Sequence, residues 1–304
     1  MSRPTLFHRV TYYAARAGIF AVSLLPERLA YSALGAVGAF YLRCSSRRRA
    51  IGDANLALAL PDSTPAERFR ILQRSTANSF QNVLDMVWSL RLLAKGRLLE
   101  RVDVTEYRDT VTTPPPWIGC AAHLGSWEVA ATSLAALGHE CHALGRMPKN
   151  PLTAAFLRRS REAAGFVLHP RRGGIRPLAR ALAEGKVGLQ VIDQNQRLRG
   201  VFVPLFGRLA STERSAATLA VRRGYPLYVG VAVRLENRFR FRFEVVGPMF
   251  PDLREGESVD EAVRRICAEL NRALEGLMVR HADQYLWIHD RYRTRPDVEG
   301  RPGA

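Results

Sequence analysis

From about residue 101 the chain repeats one unit: a short apolar run, a polar break, an amphipathic stretch and a glycine that stops it. Trp117 to Ala122 reads as a buried strand ending at His123. A helix is expected from about Trp127 to Leu137, with Ser126 at its N-cap and Gly138 as its stop. Asn150-Pro151 opens another helix, which Gly165 closes. Phe166 to Leu168 reads as a strand, Ile175 to Glu184 as a helix ended by Gly185, and Val187 to Ile192 as a strand that delivers Asp193. Thr212 to Arg223 reads as a helix stopped by Gly224. Leu227 to Leu235 and Phe239 to Val246 form a hairpin around Glu236-Asn237-Arg238. The last long helix begins with the capping box Ser258-Val259-Asp260-Glu261. Such βα units followed by a hairpin specify an α/β fold with a mixed, mostly parallel central sheet flanked by helices.

The first hundred residues read differently. Two apolar stretches, Ala17 to Pro26 and Leu29 to Leu42, are separated by Glu27-Arg28, and neither reaches the ~20 residues needed to cross a bilayer. No small-residue cleavage site of the signal-peptide kind follows them. Arg43-Cys44-Ser45-Ser46-Arg47-Arg48-Arg49 comes directly after, and each basic residue near anionic lipid contributes ~1 kcal/mol. Residues 1–49 are therefore expected to be membrane-seated helices with a basic flank, a pair of soluble helices packed on the body being the alternative. Residues 50–100 form a helical lead-in broken by the turn Pro61-Asp62-Ser63-Thr64-Pro65, with Phe80, Val83, Leu84, Val87 and Leu90 at core-facing spacing. Residues 101–304 make the α/β part.

Charge narrows the partners. The chain of 304 residues carries 45 Lys+Arg against 28 Asp+Glu, a formal +17. That excess favours polyanions: an anionic membrane, phosphorylated substrates, an acidic carrier protein or nucleic acid. Codon usage favouring Arg is the other source of such a bias. The glycine- and aromatic-rich sheet motifs and the basic recognition helix of nucleic-acid binders are missing, so no nucleic acid is expected. The four Cys (Cys44, Cys120, Cys141, Cys267) show no C-x-x-C and no zinc-ligand spacing; neither a disulfide framework nor a metal is expected.

Chemistry concentrates where strands end. His123 and Glu128 flank a strand-to-helix turn in which Gly125 lets the chain bend. A histidine with an acid beside it is the minimum for taking a proton from a hydroxyl. An acid in a first helical turn also serves stability alone. Asp193 ends its strand as His123 ends its own, and in α/β sheets ligands gather outside those ends. Arg146, Arg158, Arg159 and Arg161 lie between the two strands, where an inward guanidinium holds phosphate and the others are solvated.

His123-Leu124-Gly125-Ser126-Trp127-Glu128 resembles the HX4(D/E) block of the glycerophosphate and lysophospholipid acyltransferase superfamily. More narrowly, the chain resembles the late lipid A acyltransferases that add lauroyl or myristoyl chains. The likeness continues in Asn150-Pro151-Leu152 with Arg161, in Asp193-Gln194-Asn195, and in Gly200 to Gly207. It also includes Trp287-Ile288-His289 with Arg291 and Arg293 to Pro296, and Asn55-Leu56 before them. The resemblance implies a glycerol-3-phosphate acyltransferase-like fold. It also implies transfer of an acyl chain from acyl-acyl carrier protein or acyl-CoA to a hydroxyl of a phosphorylated lipid, on the cytoplasmic face of the inner membrane. His123 would be the general base and Glu128 its orienting partner, with Arg146, Arg161 and Asp193 holding substrate. No cofactor, metal or serine nucleophile is required, and Trp287 and His289 would be structural. The Leu124-Gly125-Ser126-Trp127 wording is closer to a broader branch that includes phosphatidylinositol mannoside acyltransferases. Lysophospholipid, aminolipid and mannoside acceptors therefore stand as alternatives.

Overall fold

The computed structural model describes residues 3–171 and 173–296. The lead-in comprises α1 (Leu6–Ser23), α2 (Glu27–Cys44), α3 (Ser46–Ala59) and α4 (Pro65–Leu93). After a short β1 (Val102–Asp103) and α5 (Thr105–Thr110) come β2 (Ile118–Ala121), α6 (Trp127–Ala136), β3 (Cys141–Gly145), α7 (Pro151–Ala163) and β4 (Phe166–Pro170). Then follow α8 (Ile175–Ala183), β5 (Val187–Val191), β6 (Val201–Leu205), β7 (Arg208–Thr212), α9 (Ser215–Arg223), β8 (Leu227–Arg234), β9 (Phe241–Met249) and α10 (Val259–Arg280). One seven-stranded sheet has the order β1-β9-β8-β2-β5-β3-β4. All its pairings are parallel except β8 with β9. The mixed α/β architecture is the one that the alternation of runs specifies.

Local chemistry accounts for most boundaries. Asn150 Oδ1 accepts from the amide of Leu152 at 3.0 Å, and Pro151 sits where no donor is needed. Ser258 and Glu261 form the reciprocal capping box, as do Thr64 and Glu67 at the start of α4. Ser126 stands at the N-cap of α6, but its hydroxyl makes no capping bond.

Two readings need correction. Thr212 belongs to a strand, not a helix: β6 and β7 pair antiparallel around the two-residue loop Phe206-Gly207, and α9 starts only at Ser215. Both loop residues have positive φ, 49° and 71°, the geometry that a tight hairpin of this length demands. The strand β3, Cys141-His142-Ala143-Leu144-Gly145, lies in what the sequence reads as the connection between Gly138 and Asn150, and pairing with β4 and β5 is what makes it a strand.

Each sheet face carries its own core. On one face Ile118, Cys120, Val229 and Val231 pack with α10 and with Leu42, Leu56 and Leu72. On the other, Trp117, Tyr228, Phe241 and Phe243 pack with α6 and with Tyr31 and Leu84. Helices α2 and α4 thus contribute to both.

No described helix is long and apolar enough to cross a membrane. Helices α1 and α2 nonetheless leave Leu6, Phe7, Val10, Tyr13, Phe20, Leu29 and Phe40 exposed, Leu6 at 78% and Phe7 at 73%. The basic cluster is divided in use. Arg43 and Arg47 are exposed, whereas Arg48 donates to the carbonyl of Ile288 at 3.0 Å and Arg49 to that of Leu42 at 2.9 Å.

Candidate active site

Strands β2 and β5 are parallel neighbours, and their register pairs Ile118 with Gly188 and Ala121 with Val191. Continuing that register two residues past each strand brings His123 beside Asp193 on the same face. The contact follows: His123 Nδ1 lies 2.8 Å from Asp193 Oδ1, and the backbone amide of His123 donates to Oδ2 at 3.0 Å. The Asp193 side chain is 2% exposed and the His123 ring 19%. Burial alone would push the Asp193 carboxyl up. The charge of His123 and the two hydrogen bonds it provides outweigh that and hold Asp193 below the usual carboxylate range. For His123, burial opposes protonation, but the charge and hydrogen bond of Asp193 lift the imidazole above its ordinary value.

An ionised carboxylate only accepts, so Nδ1 carries the hydrogen and Nε2 keeps its lone pair. Nε2 has the side-chain amide of Gln194 as a neighbour at 3.4 Å, and the ring of Trp127 stands edge-on at 4.7 Å between centroids. His123 is therefore placed to accept a proton from a group entering the cavity.

Glu128, expected to orient His123, makes no hydrogen bond to it among the described residues. It is buried in the first turn of α6, where Arg161, near the end of α7, donates to Oε1 through Nη2 and to Oε2 through Nε at 3.3 Å. The residue that the sequence suggested for substrate, Asp193, holds the imidazole. The acid five residues from the histidine holds an arginine. The turn between them is possible because Gly125 has φ +57°, and because a Cβ there would meet the carbonyl oxygen of Ala232 at 2.1 Å.

His123, Trp127, Glu128, Arg146 and Arg161 all line one cavity of about 1130 Å³. One part lies between the sheet and α6 and is apolar, walled by Tyr107, Trp117, Ala130, Leu134, Phe166, Tyr228 and Phe243. Gly119 and Gly230 open this wall; a Cβ at Gly230 would meet Phe243 Cε2 at 3.0 Å. The other part is polar, with Gln190, Gln196, Ser215 and the arginines Arg171, Arg199, Arg214 and Arg222. Arg146 lines the cavity, is exposed, and makes no hydrogen bond or ion pair among the described residues. Arg158 and Arg159 do not line the cavity. No group of three His, Cys, Asp or Glu able to hold a metal occurs among the described residues.

The segments behind Asp193 come from opposite ends of the chain. His289 Nε2 accepts from the amide of Asn195 at 3.0 Å, and Asn195 exchanges two hydrogen bonds with Thr294. Asn55 on α3 donates to the carbonyls of Trp287 and His289 at 2.7 and 2.9 Å. Trp287 is buried and its indole donates to the carbonyl of Ala282. These contacts join residues 232 and 234 positions apart into one wall. A family model described as bacterial lipid A biosynthesis acyltransferase matches residues 3–294, which spans that wall from end to end.

The chain belongs to the bacterial lipid A biosynthesis acyltransferase family.

Members of this family are O-acyltransferases. Among curated relatives, lipid A biosynthesis acyltransferase 2 of Shigella flexneri is 23% identical over 93% of this chain and 90% of that protein. The lipid A biosynthesis myristoyltransferase of Escherichia coli K12 is 26% identical over 97% and 92%. The lauroyltransferase of the same organism is 24% identical over 92% and 90%. These three relatives match more than nine-tenths of the chain, not one motif.

Proposed function

We propose that the protein transfers a fatty acyl group from a thioester, on acyl carrier protein or CoA, to a hydroxyl of a phosphorylated lipid A precursor. The observation that carries this reading is the imidazole with its Nδ1 held by Asp193 and its Nε2 facing a cavity with an apolar and a cationic part. Nε2 takes the hydroxyl proton as the acceptor oxygen bonds to the thioester carbonyl carbon. The tetrahedral adduct then collapses, the carbon–sulfur bond breaks, and the proton on Nε2 passes to the departing sulfur. The products are an oxygen ester and a free thiol, and His123 returns to its starting state. The base accounts for ~10²–10⁴ in rate; positioning of the reactants supplies much of the remainder.

The apolar part suits the acyl chain. Arg146, and Arg161 fixed by Glu128, suit the anionic parts of donor or acceptor, since guanidinium forks pair with phosphate. The role we assign to Glu128 is thus to hold Arg161 in place.

Seating on an anionic leaflet, at the cytoplasmic face of the inner membrane, fits the same reading. Helices that expose aromatic and aliphatic side chains but are not long and apolar enough to cross suit the interface plane. Exposed Arg43 and Arg47 add electrostatic attraction.

The test is transfer of radiolabelled acyl chains by the purified protein in mixed micelles, with a lipid A precursor, a lysophospholipid and a phosphatidylinositol mannoside offered separately. His123→Ala should abolish transfer while the fold and vesicle binding persist. Near-normal turnover by that variant removes the general base, and transfer only to one of the other lipids moves the acceptor assignment.

A further inference from the structure

Behind the catalytic turn lies a buried polar cluster that the transfer chemistry does not use. Arg234, at the end of β8, is 8% exposed and Asp85, on α4, is fully buried. The guanidinium grips the carboxylate with both forks, Nη1 to Oδ1 at 2.8 Å and Nη2 to Oδ2 at 2.6 Å. It also donates to Asn78 Oδ1 at 3.0 Å and to Asn82 Oδ1 at 3.3 Å. Tyr31 on α2 donates its hydroxyl to Asp85 Oδ1 at 2.7 Å, and the guanidinium stands 4.8 Å from the Tyr31 ring centre.

Stability does not explain this arrangement. Burying two charges costs several kcal/mol per ion, and apolar groups of the same shape generally do as well or better. The cluster does something apolar groups cannot. Arginine is a donor only, so each asparagine must turn its oxygen towards Arg234 and its NH₂ away from it. Both NH₂ groups then meet the carbonyl of Gly125, Asn82 at 2.9 Å and Asn78 at 3.4 Å. Two backbone amides of that turn are held as well. Gly125 N donates to the carbonyl of Gln284, and Ser126 N to that of Ala232. The Gln284 side chain in turn makes reciprocal 2.9 Å bonds with the backbone of Arg234.

We propose that Asp85, Arg234, Asn78 and Asn82 are positioning residues that fix the turn carrying His123 and Glu128, and that Tyr31 extends this control to helix α2. The inference rests on the acyl-transfer reading for its kinetics and on geometry alone for its structure. None of these side chains touches the reacting atoms. Removing one lets the Gly125 carbonyl drift, and displacement of a catalytic group by about 1 Å costs on the order of 10²-fold. Because α2 also bears part of the exposed apolar face, the helix that meets the lipid surface is wired to the turn that bears the base.

The experiment uses the full-length protein and the variants Asn82→Ala, Tyr31→Phe and the double variant, with kcat, KM and the imidazole NMR titration of His123 measured on each. Asn82→Ala should lower kcat at least about tenfold while both KM values stay within about twofold. Tyr31→Phe should have a smaller effect of the same kind. The double variant should lose less than the two single losses multiplied together, because Tyr31 reaches the turn through Asp85, Arg234 and Asn82 in series. The His123 titration should shift in the same order. Lowered thermal stability with unchanged kcat and an unchanged His123 titration would reduce the cluster to a packing element. Additive losses would detach Tyr31 from it. Should the wild type transfer nothing to any acceptor, the acyl-transfer reading fails, and the NMR titration still decides the positioning claim.

Discussion

At the residue scale, the division of labour between two acids is the finding with the sharpest consequences. On the proposed mechanism His123 must be unprotonated to accept, so activity should rise as pH climbs through its pKa. Asp193 holds that pKa above the ordinary value near 6.5, so the acid limb of kcat/KM should lie above that point. Asp193→Asn keeps the shape but removes the charge, and an amide can donate to Nδ1 and strand the hydrogen on Nε2. The acid limb should move to lower pH, and kcat should fall by about 10²–10⁴, the worth of the base itself. Glu128→Gln should leave the limb where it is, because its carboxylate bonds Arg161 and not the imidazole. A pH–rate profile of both variants decides between the acids; a limb that moves with Glu128 and not with Asp193 would reverse the assignment.

At the scale of elements, sheet and helix each set one property. The apolar lobe is roomy because β2 and β8 present Gly119 and Gly230 to it, while α6 contributes Ala130 and Ala131. Gly230→Ala adds a methyl 3.0 Å from Phe243 and should shorten the preferred chain. Each methylene in such a pocket is worth about 1–3 kcal/mol, enough to change the preference in a competition assay with mixed acyl donors. Unchanged product chain lengths would place the acyl group elsewhere. In the basic segment, Arg43→Ser with Arg47→Ser should weaken sedimentation with anionic vesicles more than with neutral ones. Arg48→Ser and Arg49→Ser should instead lower the melting temperature, since those side chains satisfy backbone carbonyls. Equal loss of vesicle binding from both pairs would contradict this division.

Across the whole molecule, α6 to α8, β2, β4, β5, the β8–β9 hairpin and α10 were legible because glycine stops, Asn-Pro and Ser-x-x-Glu caps and apolar runs are local signals. His123, Asp193, Arg146 and Arg161 were legible as candidates because strand ends and resemblance single them out. Their pairing was not. Which acid meets His123 depends on β5 lying next to β2, a contact between residues 70 apart that no local pattern encodes. Adjacency in sequence favoured Glu128; register chose Asp193. Had β5 been taken as the neighbour of β2, equal spacing past the two strands would have signalled the contact. The β6–β7 hairpin was missed although Phe206-Gly207 between apolar strands is a turn signal, because Thr212 seemed to start the following helix. The Asp85–Arg234 cluster escaped because its two charges stand 149 residues apart, and a charge buried by tertiary packing reads in sequence like one on a solvated face.

The backbone carbonyl of His123 accepts from the amide of Leu286, and Leu124 bridges to Tyr285. A ribosome that has made 200 residues has thus supplied His123, Glu128, Arg146, Arg161 and Asp193, yet the carbonyl of His123 still lacks the amide of Leu286 that holds it. Nascent chains and products clipped before residue 285 should be chemically silent even when already lodged at the bilayer. Ignition waits for the tail to dock.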